Sequence, residues 1–174
     1  ILHGDLCSEH VLLDADLGLR VLDYGLRRAV RGSGVDVASD PGTLSKLVGE
    51  PAYMAPEQLR GGNPTVQSDL FSAAHLCVEM LVGAPLLGMK SKLAIVASQV
   101  SKEPFQLPQS GVPDGLRSFL THALQKDPSR RYQNAAECIG ALDMLANWEQ
   151  SSPELESGAT RMIEIARPIT DGAP

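Results

Sequence analysis

The sequence lacks any paired or clustered set of cysteines. Its three cysteines, Cys7, Cys77 and Cys138, are odd in number, far apart and without C-x-x-C spacing. Such a set builds neither a disulfide framework nor a zinc site, so we expect reduced thiols in a cytoplasmic protein. Cys77 and Cys138 fall on the apolar faces of predicted helices, where core packing is the expected role.

Basic runs and long hydrophobic runs are also missing. The formal net charge is −6, which argues against a nucleic-acid or anionic-membrane surface, so we expect no nucleic-acid partner. The longest apolar stretch, residues 76–87, is interrupted by Glu79, Gly83 and Pro85 and is too short to span a bilayer. With no signal-peptide or transit-peptide pattern either, we expect no membrane segment in this chain.

The composition that is present predicts one folded domain. The chain has 174 residues, of which 43% are hydrophobic and 21% charged, values near the globular average. It begins at Ile1, without an initiator methionine and already inside a motif. We therefore expect it to be part of a longer protein.

The residue pattern predicts an α+β fold with a small β hairpin ahead of a mainly helical body. Residues 11–13 and the mainly apolar residues 19–22, which include Arg20, flank a polar turn and form a predicted hairpin. Residues 26–50 show no periodicity and form a predicted long loop. Apolar residues then recur at helical spacing. The predicted helices are a short one that starts at Pro56 and ends after Leu59, then 68–82, 91–100, 114–125 and 134–148, the last with Asn134 as its N-cap and Glu137 completing a capping box.

Two aspartates lie on neighbouring loops at the start of the chain. Asp5 stands in the stretch His3-Gly-Asp-Leu-Cys-Ser-Glu-His10, and Asp23 opens Asp23-Tyr-Gly25. Two carboxylates placed in this way beside short apolar runs suit phosphoryl transfer, one near the nucleophile and one on the metal. The stretch resembles the catalytic loop and the metal-binding loop of protein kinases.

Further signatures of that family follow in the family's order. They are Ala55-Pro-Glu57, Ser68-Asp-Leu-Phe-Ser72, Leu81-Val-Gly-Ala-Pro-Leu86 and Asp127-Pro-Ser-Arg-Arg131. The wording of residues 53–58 is similar to bacterial-type Ser/Thr protein kinases. The resemblance implies the large C-terminal lobe of a kinase over residues 1–148, without the N-terminal lobe. Residues 149–174 contain three prolines and two glycines and have little periodicity, which predicts a flexible linker or tail.

The resemblance also implies roles for individual residues, and it implies ATP and Mg²⁺ as cofactors with a protein as substrate or docking partner. Asp5 is expected to accept the substrate hydroxyl proton, and Asp23 to bind Mg²⁺. Leu12 and Leu22 are expected beneath the adenine and behind the metal site. Structural roles are expected for His3, for Asp69 as acceptor from the catalytic-loop backbone, and for Glu57 and Arg131 as a buried ion pair. His75 and His122 are expected to be ordinary surface or packing residues.

Four positions depart from the kinase pattern. Gly4 replaces an arginine that pairs with a phosphorylated loop, and Cys7 replaces the lysine that neutralises the transferred phosphate. His10 replaces the asparagine that binds the second metal, and imidazole suits Mg²⁺ less well than an oxygen ligand. Glu50 stands where Ser/Thr kinases usually have threonine. Loss of positive charge around a nucleotide predicts weak or absent catalysis.

Three functional hypotheses remain at this point. The first is a fragment of a Ser/Thr protein kinase that is inactive or weakly active as this chain, which contains no glycine-rich loop and no strand lysine of the small lobe. The second is a pseudokinase that acts as a scaffold or protein-docking module. The third, ranked lower, is a small-molecule phosphotransferase, because His3-Gly-Asp-Leu6 also resembles the aminoglycoside and choline kinase type.

Overall fold

The structure, a computed structural model, describes residues 1–13, 18–24, 36, 38–88 and 90–149. These residues form a two-stranded antiparallel hairpin followed by a mainly helical body. The predicted combination of a small hairpin and a helical body is therefore confirmed. The predictions for the hairpin turn, for Gly25, for residues 26–35 and 37 of the loop and for the tail from residue 150 lie outside the described residues.

The hairpin pairs two strands of three residues each. Strand β1 is Val11–Leu13 and strand β2 is Leu19–Val21, with Val11 opposite Val21 and Leu13 opposite Leu19. A single 3₁₀ turn, Ser8–His10, leads into β1. The second strand is one residue shorter than predicted, although the Leu22 amide still donates a hydrogen bond of 2.8 Å to the His10 carbonyl. This bond holds the two loops at the open end of the hairpin together.

The described part of the body contains five α-helices, and all five were predicted. They are α1 (Pro56–Leu59), α2 (Val66–Val82), α3 (Lys92–Val100), α4 (Asp114–Ala123) and α5 (Ala135–Glu149), with 3₁₀ turns at Pro41–Lys46 and Pro128–Arg130. Helix α2 starts two residues earlier than predicted, because Thr65 and Ser68 form a reciprocal cap. The Ser68 amide donates to Thr65 Oγ1 at 3.2 Å, and the Thr65 amide donates to Ser68 Oγ at 2.8 Å.

Other helix ends show where the sequence pattern was less reliable. Helix α4 ends at Ala123, two residues before the predicted end. The capping box of α5 is only half right, since the Glu137 amide donates to Asn134 Oδ1, but the Glu137 carboxylate accepts from the Gln133 amide. The 3₁₀ turn inside the long loop was not predicted. Asp40 stabilises that turn by accepting from the Gly42 amide.

Helix α2 supplies the centre of the main core. Phe71 and Val78 on α2 and Leu120 on α4 are completely buried together. Cys77 and Cys138 pack against this cluster, as predicted, and burial raises the pKa of both thiols. In the described part of the chain, no helix is long and apolar enough to cross a membrane.

Lys126 joins α3 to the segment that follows α4. Its Nζ donates to the carbonyls of Ser98 and Gln99, in the last turn of α3, at 2.7 and 3.0 Å, and lies 3.3 Å from the Phe105 ring centroid. A cation at this end of a helix satisfies carbonyls that have no partner inside the helix. Burial lowers the pKa of Lys126 to about 8.

His75 is buried in α2, where it packs against aromatic rings as the sequence suggested. Only 2% of the residue is exposed, and its ring centroid lies 4.8 Å from that of Phe71 and 5.2 Å from that of Phe105. Nε2 has no hydrogen-bond partner within the described residues. Burial, reinforced by the cations of Lys126 and Arg131, lowers the pKa of His75 to about 3. The imidazole is therefore neutral in the folded protein at neutral pH.

This buried imidazole predicts loss of stability in mild acid. The unfolded chain binds a proton at His75 below its ordinary pKa of about 6.5, whereas the folded chain does not, so stability falls by up to about 1.4 kcal/mol per pH unit below that value. Replacement of His75 by phenylalanine should remove this component, which amounts to roughly 2 kcal/mol between pH 6.5 and pH 5. Urea denaturation at the two pH values measures it. His122→Gln, at an exposed position, is the control, and equal pH dependence of wild type and His75→Phe would contradict the prediction.

Candidate active site

The first turn of α2 holds the start of the predicted catalytic loop, residues 3–10, which is called the catalytic loop below. Asp69 accepts hydrogen bonds from the backbone amides of His3 (2.8 Å) and Gly4 (2.9 Å), one on each carboxylate oxygen. Gly4 has a φ of 81°, in the region that favours glycine, and a Cβ there would lie 3.3 Å from Pro64 Cγ. The backbone therefore makes a tight turn at Gly4, directly after its contacts with Asp69, and this turn favours glycine.

His3 connects the catalytic loop to the loop that carries Asp23. The ring is buried, and its Nε2 lies 2.7 Å from the Leu22 carbonyl oxygen. Because a carbonyl oxygen can only accept a hydrogen bond, Nε2 carries the proton. Nδ1 then accepts from the Asp5 amide at 3.3 Å. One ring nitrogen thus holds Leu22, the residue before Asp23, and the other holds the backbone amide of Asp5.

His10 lies between the two loops and contacts both. Its Nδ1 lies 2.7 Å from the Asp5 carbonyl, which fixes the proton on Nδ1 and leaves Nε2 directed towards Asp23, with 3.7 Å to Oδ2. A lone pair directed at a carboxylate is unfavourable. The arrangement is satisfied when a cation binds between the two groups.

Asp23 adopts a backbone conformation that is uncommon for a residue other than glycine. Its φ is 62°, in the left-handed region that aspartate tolerates better than most residues. About half of its side chain is exposed, 51%, whereas that of His10 is 22% exposed. The carboxylate is thus held at the surface of the site, where a cation can reach it.

Cys7 brings no charge to the site. The residue is 4% exposed, and its Sγ lies 3.3 Å from His10 Nδ1. Burial raises the pKa of the Cys7 thiol, and the Asp5 carboxylate raises it further. The side chain at the position where the kinase pattern has lysine is therefore a neutral, buried thiol.

The side chains of the two leucines predicted to contact the nucleotide are exposed, although the backbone of Leu22 belongs to the hydrogen-bonded group. Leu12, in β1, is 50% exposed and Leu22 is 39% exposed. Leu13, Leu19 and Tyr24 are exposed near them on the same hairpin and the loop that follows it. Successive strand residues point to opposite faces, so Leu12, which pairs with Arg20, lies on one face of the hairpin, and the Leu13–Leu19 pair lies on the other. The predicted adenine contact of Leu12 and Leu22 stays a prediction.

A cavity of about 380 Å³ lies on the other side of the catalytic loop. Two of the four positions that depart from the kinase pattern, Cys7 and Glu50, line this cavity. Tyr53, also in the lining, donates to Glu79 and accepts a hydrogen bond of 2.9 Å from Ser8. Burial and the Glu79 carboxylate raise the pKa of Tyr53.

Glu57 and Arg131 form a bidentate ion pair away from the catalytic loop. The two nitrogen–oxygen distances are 2.7 and 2.9 Å. The three remaining N–H groups of the guanidinium donate to backbone carbonyls, those of Gln67, Gln125 and Lys126. The guanidinium also lies 4.6 Å from the centre of the Phe71 ring. All five donors of a completely buried side chain are thereby satisfied.

Two residues that sequence reasoning missed contribute to the site. Gln58 Oε1 accepts a hydrogen bond from the Ala55 amide, and Gln58 Nε2 donates to the Gly4 carbonyl at 3.2 Å. The second bond joins α1 to the catalytic loop. Tyr53 joins the same loop to α2 through Ser8 and Glu79. Both lie in the stretch 50–58 that carried the resemblance, but only their contacts reveal what they do.

Comparison with known proteins agrees with this geometry. The family model described as "Protein kinase domain" matches residues 1–141. The chain belongs to the protein kinase family.

The similar curated proteins are bacterial Ser/Thr kinases, which confirms the predicted type. The serine/threonine-protein kinase PknB of Mycobacterium tuberculosis is 30% identical over 186 residues, which cover 100% of this chain and 29% of that protein. The probable serine/threonine-protein kinase PknB of Bifidobacterium longum is 32% identical over 139 residues, 79% of this chain and 20% of that protein. The chain thus spans less than a third of the length of these relatives.

The Arg131 environment predicts a large loss of stability on substitution. Arg131→Met leaves Glu57 unpaired and removes three donors from backbone carbonyls, so unfolding free energy should fall by about 3–5 kcal/mol. Arg131→Lys should recover only part of this, since an ammonium offers three donors. Arg130→Met, at the exposed neighbouring position, is the control and should stay within about 0.5 kcal/mol of wild type. Urea denaturation tests all three, and a loss for Arg131→Met no larger than that of the control would refute the role.

Proposed function

We propose that this chain is the large lobe of a Ser/Thr protein kinase domain whose catalytic loop has lost much of its capacity for phosphoryl transfer. Membership of the kinase family supports the reaction class. The mainly helical body and the hairpin beside the two aspartates support the lobe assignment. Protein hydroxyl groups are the proposed substrates of the parent domain, by similarity to the relatives' printed names.

The residues fit a divalent cation better than they fit a complete nucleotide site. Asp23 presents a half-exposed carboxylate, and His10 Nε2 lies 3.7 Å from it. These two groups would hold the cation, which when bound would neutralise charge on the ATP phosphates. Imidazole nitrogen is a better ligand for Mn²⁺ or Zn²⁺ than for Mg²⁺, which prefers oxygen.

Asp5 would act on the substrate hydroxyl in the parent domain. Its position is held from two sides, because its amide donates to His3 Nδ1 and its carbonyl accepts from His10 Nδ1. A carboxylate fixed in this way can orient a hydroxyl group and accept its proton. The proposed general base is therefore retained in a fixed loop.

The single observation that carries the proposal of weak activity is the state of Cys7 and His10. Cys7 is a neutral thiol with a raised pKa. His10 donates from Nδ1 to the Asp5 carbonyl, and its Nε2 faces the Asp23 carboxylate. Neither places a fixed positive charge where the transferred phosphoryl group carries negative charge. Loss of one such electrostatic donor costs about 10²–10³ in rate.

The first test is phosphoryl transfer by the 174-residue chain. With radiolabelled ATP, Mg²⁺ and a Ser/Thr peptide library, we expect incorporation no higher than that of Asp5→Asn, because the loop supplies no cation for the phosphate. Asp5→Asn is nearly isosteric and keeps the loop, which makes it the matched control. Incorporation well above background that disappears in Asp5→Asn would overturn the proposal.

The second test is the choice of metal. We expect Mn²⁺ to raise the melting temperature more than Mg²⁺ at equal concentration, since a metal at ten times its dissociation constant adds about 1.4 kcal/mol of stability. His10→Asn should shift the preference towards Mg²⁺, and Asp23→Asn should abolish the response to both metals. Differential scanning fluorimetry with and without ATP measures these shifts. An unchanged preference in His10→Asn would remove His10 from the proposed metal site.

A pseudokinase scaffold is the second candidate, and it is favoured by the same neutral thiol. Metal-dependent ATP binding by the longer parent protein, measured by calorimetry, supports the enzyme, and absence of binding supports the scaffold. The small-molecule phosphotransferase ranks lower. The Ala55-Pro-Glu57 sequence and the Glu57–Arg131 pair belong to the protein-kinase pattern and support the protein kinase instead.

A further inference from the structure

A second large cavity lies on the helical body, between the segment that follows α3 and the end of α4. It measures about 440 Å³ and is lined by residues of 102–107 and 121–130. It shares no lining residue with the cavity beside the catalytic loop. We call it the cationic pocket, because Lys102, Lys126 and Arg130 all line it.

The charge of the cationic pocket is opposite to that of the whole chain. Three cations stand against a single carboxylate, Asp127, among the lining residues that the structure describes, whereas the chain as a whole has a net charge of −6. The Asp127 carboxylate already accepts from the Ser129 amide and hydroxyl at 2.9 and 2.7 Å. Within the described residues, neither Lys102 nor Arg130 takes part in an ion pair.

The floor of the cationic pocket is apolar and held in place. Phe105 has the Lys126 ammonium 3.3 Å from its ring centroid, and the buried His75 packs against it edge-on at 5.2 Å. Leu124 is 4% exposed and Leu107 is half-buried beside it. Side chains that are already fixed lose little entropy when a ligand binds, and the volume is within the range of ligand sites.

We propose that the cationic pocket docks an acidic segment of a partner protein. An aliphatic or aromatic side chain of that segment would pack on Phe105, Leu107 and Leu124. Carboxylates on either side of it would pair with Lys102 and Arg130 at the rim. The combination of a fixed apolar floor and an exposed cationic rim selects a ligand that is both apolar and negatively charged. Docking here does not depend on catalysis, because the two cavities are separate.

A fluorescein-labelled peptide of sequence EDLFDE is the probe, titrated into the 174-residue chain by fluorescence anisotropy. Reversal of the rim, Lys102→Glu with Arg130→Glu, should weaken binding about tenfold or more, because like charges then face the peptide. The matched control is Lys90→Glu with Lys92→Glu, which changes the net charge equally at exposed positions outside this pocket. It should change the dissociation constant by less than about twofold.

Two further peptides separate the docking site from a simple anion site. EDSSDE keeps the charge and lacks the apolar side chains, and KKLFKK keeps the apolar side chains with reversed charge. Both should bind at least about tenfold more weakly than EDLFDE. Three results would each overturn the proposal. The first is binding of EDSSDE as tight as that of EDLFDE, and the second is the same loss of EDLFDE affinity in the two charge-matched double variants. The third is no binding of EDLFDE to the wild-type chain. If the Glu variant loses its circular dichroism melting transition, Lys102→Gln with Arg130→Gln provides the same comparison.

Discussion

The buried guanidinium of Arg131 is the interaction on which the rest of the fold depends. It binds Glu57 of α1, the carbonyl of Gln67 in α2 and two carbonyls of the segment after α4, while its face packs on Phe71. One side chain therefore joins three parts of the chain that are far apart in sequence. A charge at such depth is stable only when every donor is satisfied, so the surrounding backbone has little freedom to move. Helix α1, fixed in this way, then offers Gln58 to the Gly4 carbonyl and extends the constraint to the catalytic loop.

The catalytic loop is held by polar contacts to backbone atoms rather than by its own packing. Asp69 fixes the amides of His3 and Gly4, and the two histidines, His3 and His10, connect that loop to the loop of Asp23. These contacts position both aspartates without any cation from Cys7. The contacts that hold the two aspartates are therefore in place. The positive charge that the kinase pattern has at position 7 is absent, because Cys7 is a buried thiol. This combination is the basis of the weak phosphoryl transfer proposed above.

Local sequence signals were sufficient for the α-helices and the hairpin, but not for the 3₁₀ turns or for most contacts between elements. The five described helices and the hairpin followed from periodicity and from glycine and proline positions, because those signals are local. The Glu57–Arg131 pair and the Asp69 contacts were expected only from the family resemblance. Helix α2 began earlier than predicted because the Thr65–Ser68 pair, a local signal that was overlooked, caps it. The 3₁₀ turn at Pro41–Lys46 depends on one Asp40 contact in a stretch without periodicity. The hydrogen bonds of Gln58, Tyr53 and Lys126 join residues that are 26 to 54 positions apart in the sequence. No local spacing pattern in a single sequence predicts contacts over such distances.

The separation between support and chemistry has a consequence for what this chain can do. The residues that hold the fold are Arg131, Glu57, Asp69 and the aromatic cluster around Phe71, and none of them needs a nucleotide for its contacts. Lys126 belongs to that group as well, since it caps α3 and fixes Phe105 at the same time. The contacts that hold Lys126 and Phe105 do not involve Cys7 or His10. The docking proposed for the helical body is therefore compatible with the weak phosphoryl transfer proposed for the loop, since the two depend on separate sets of contacts.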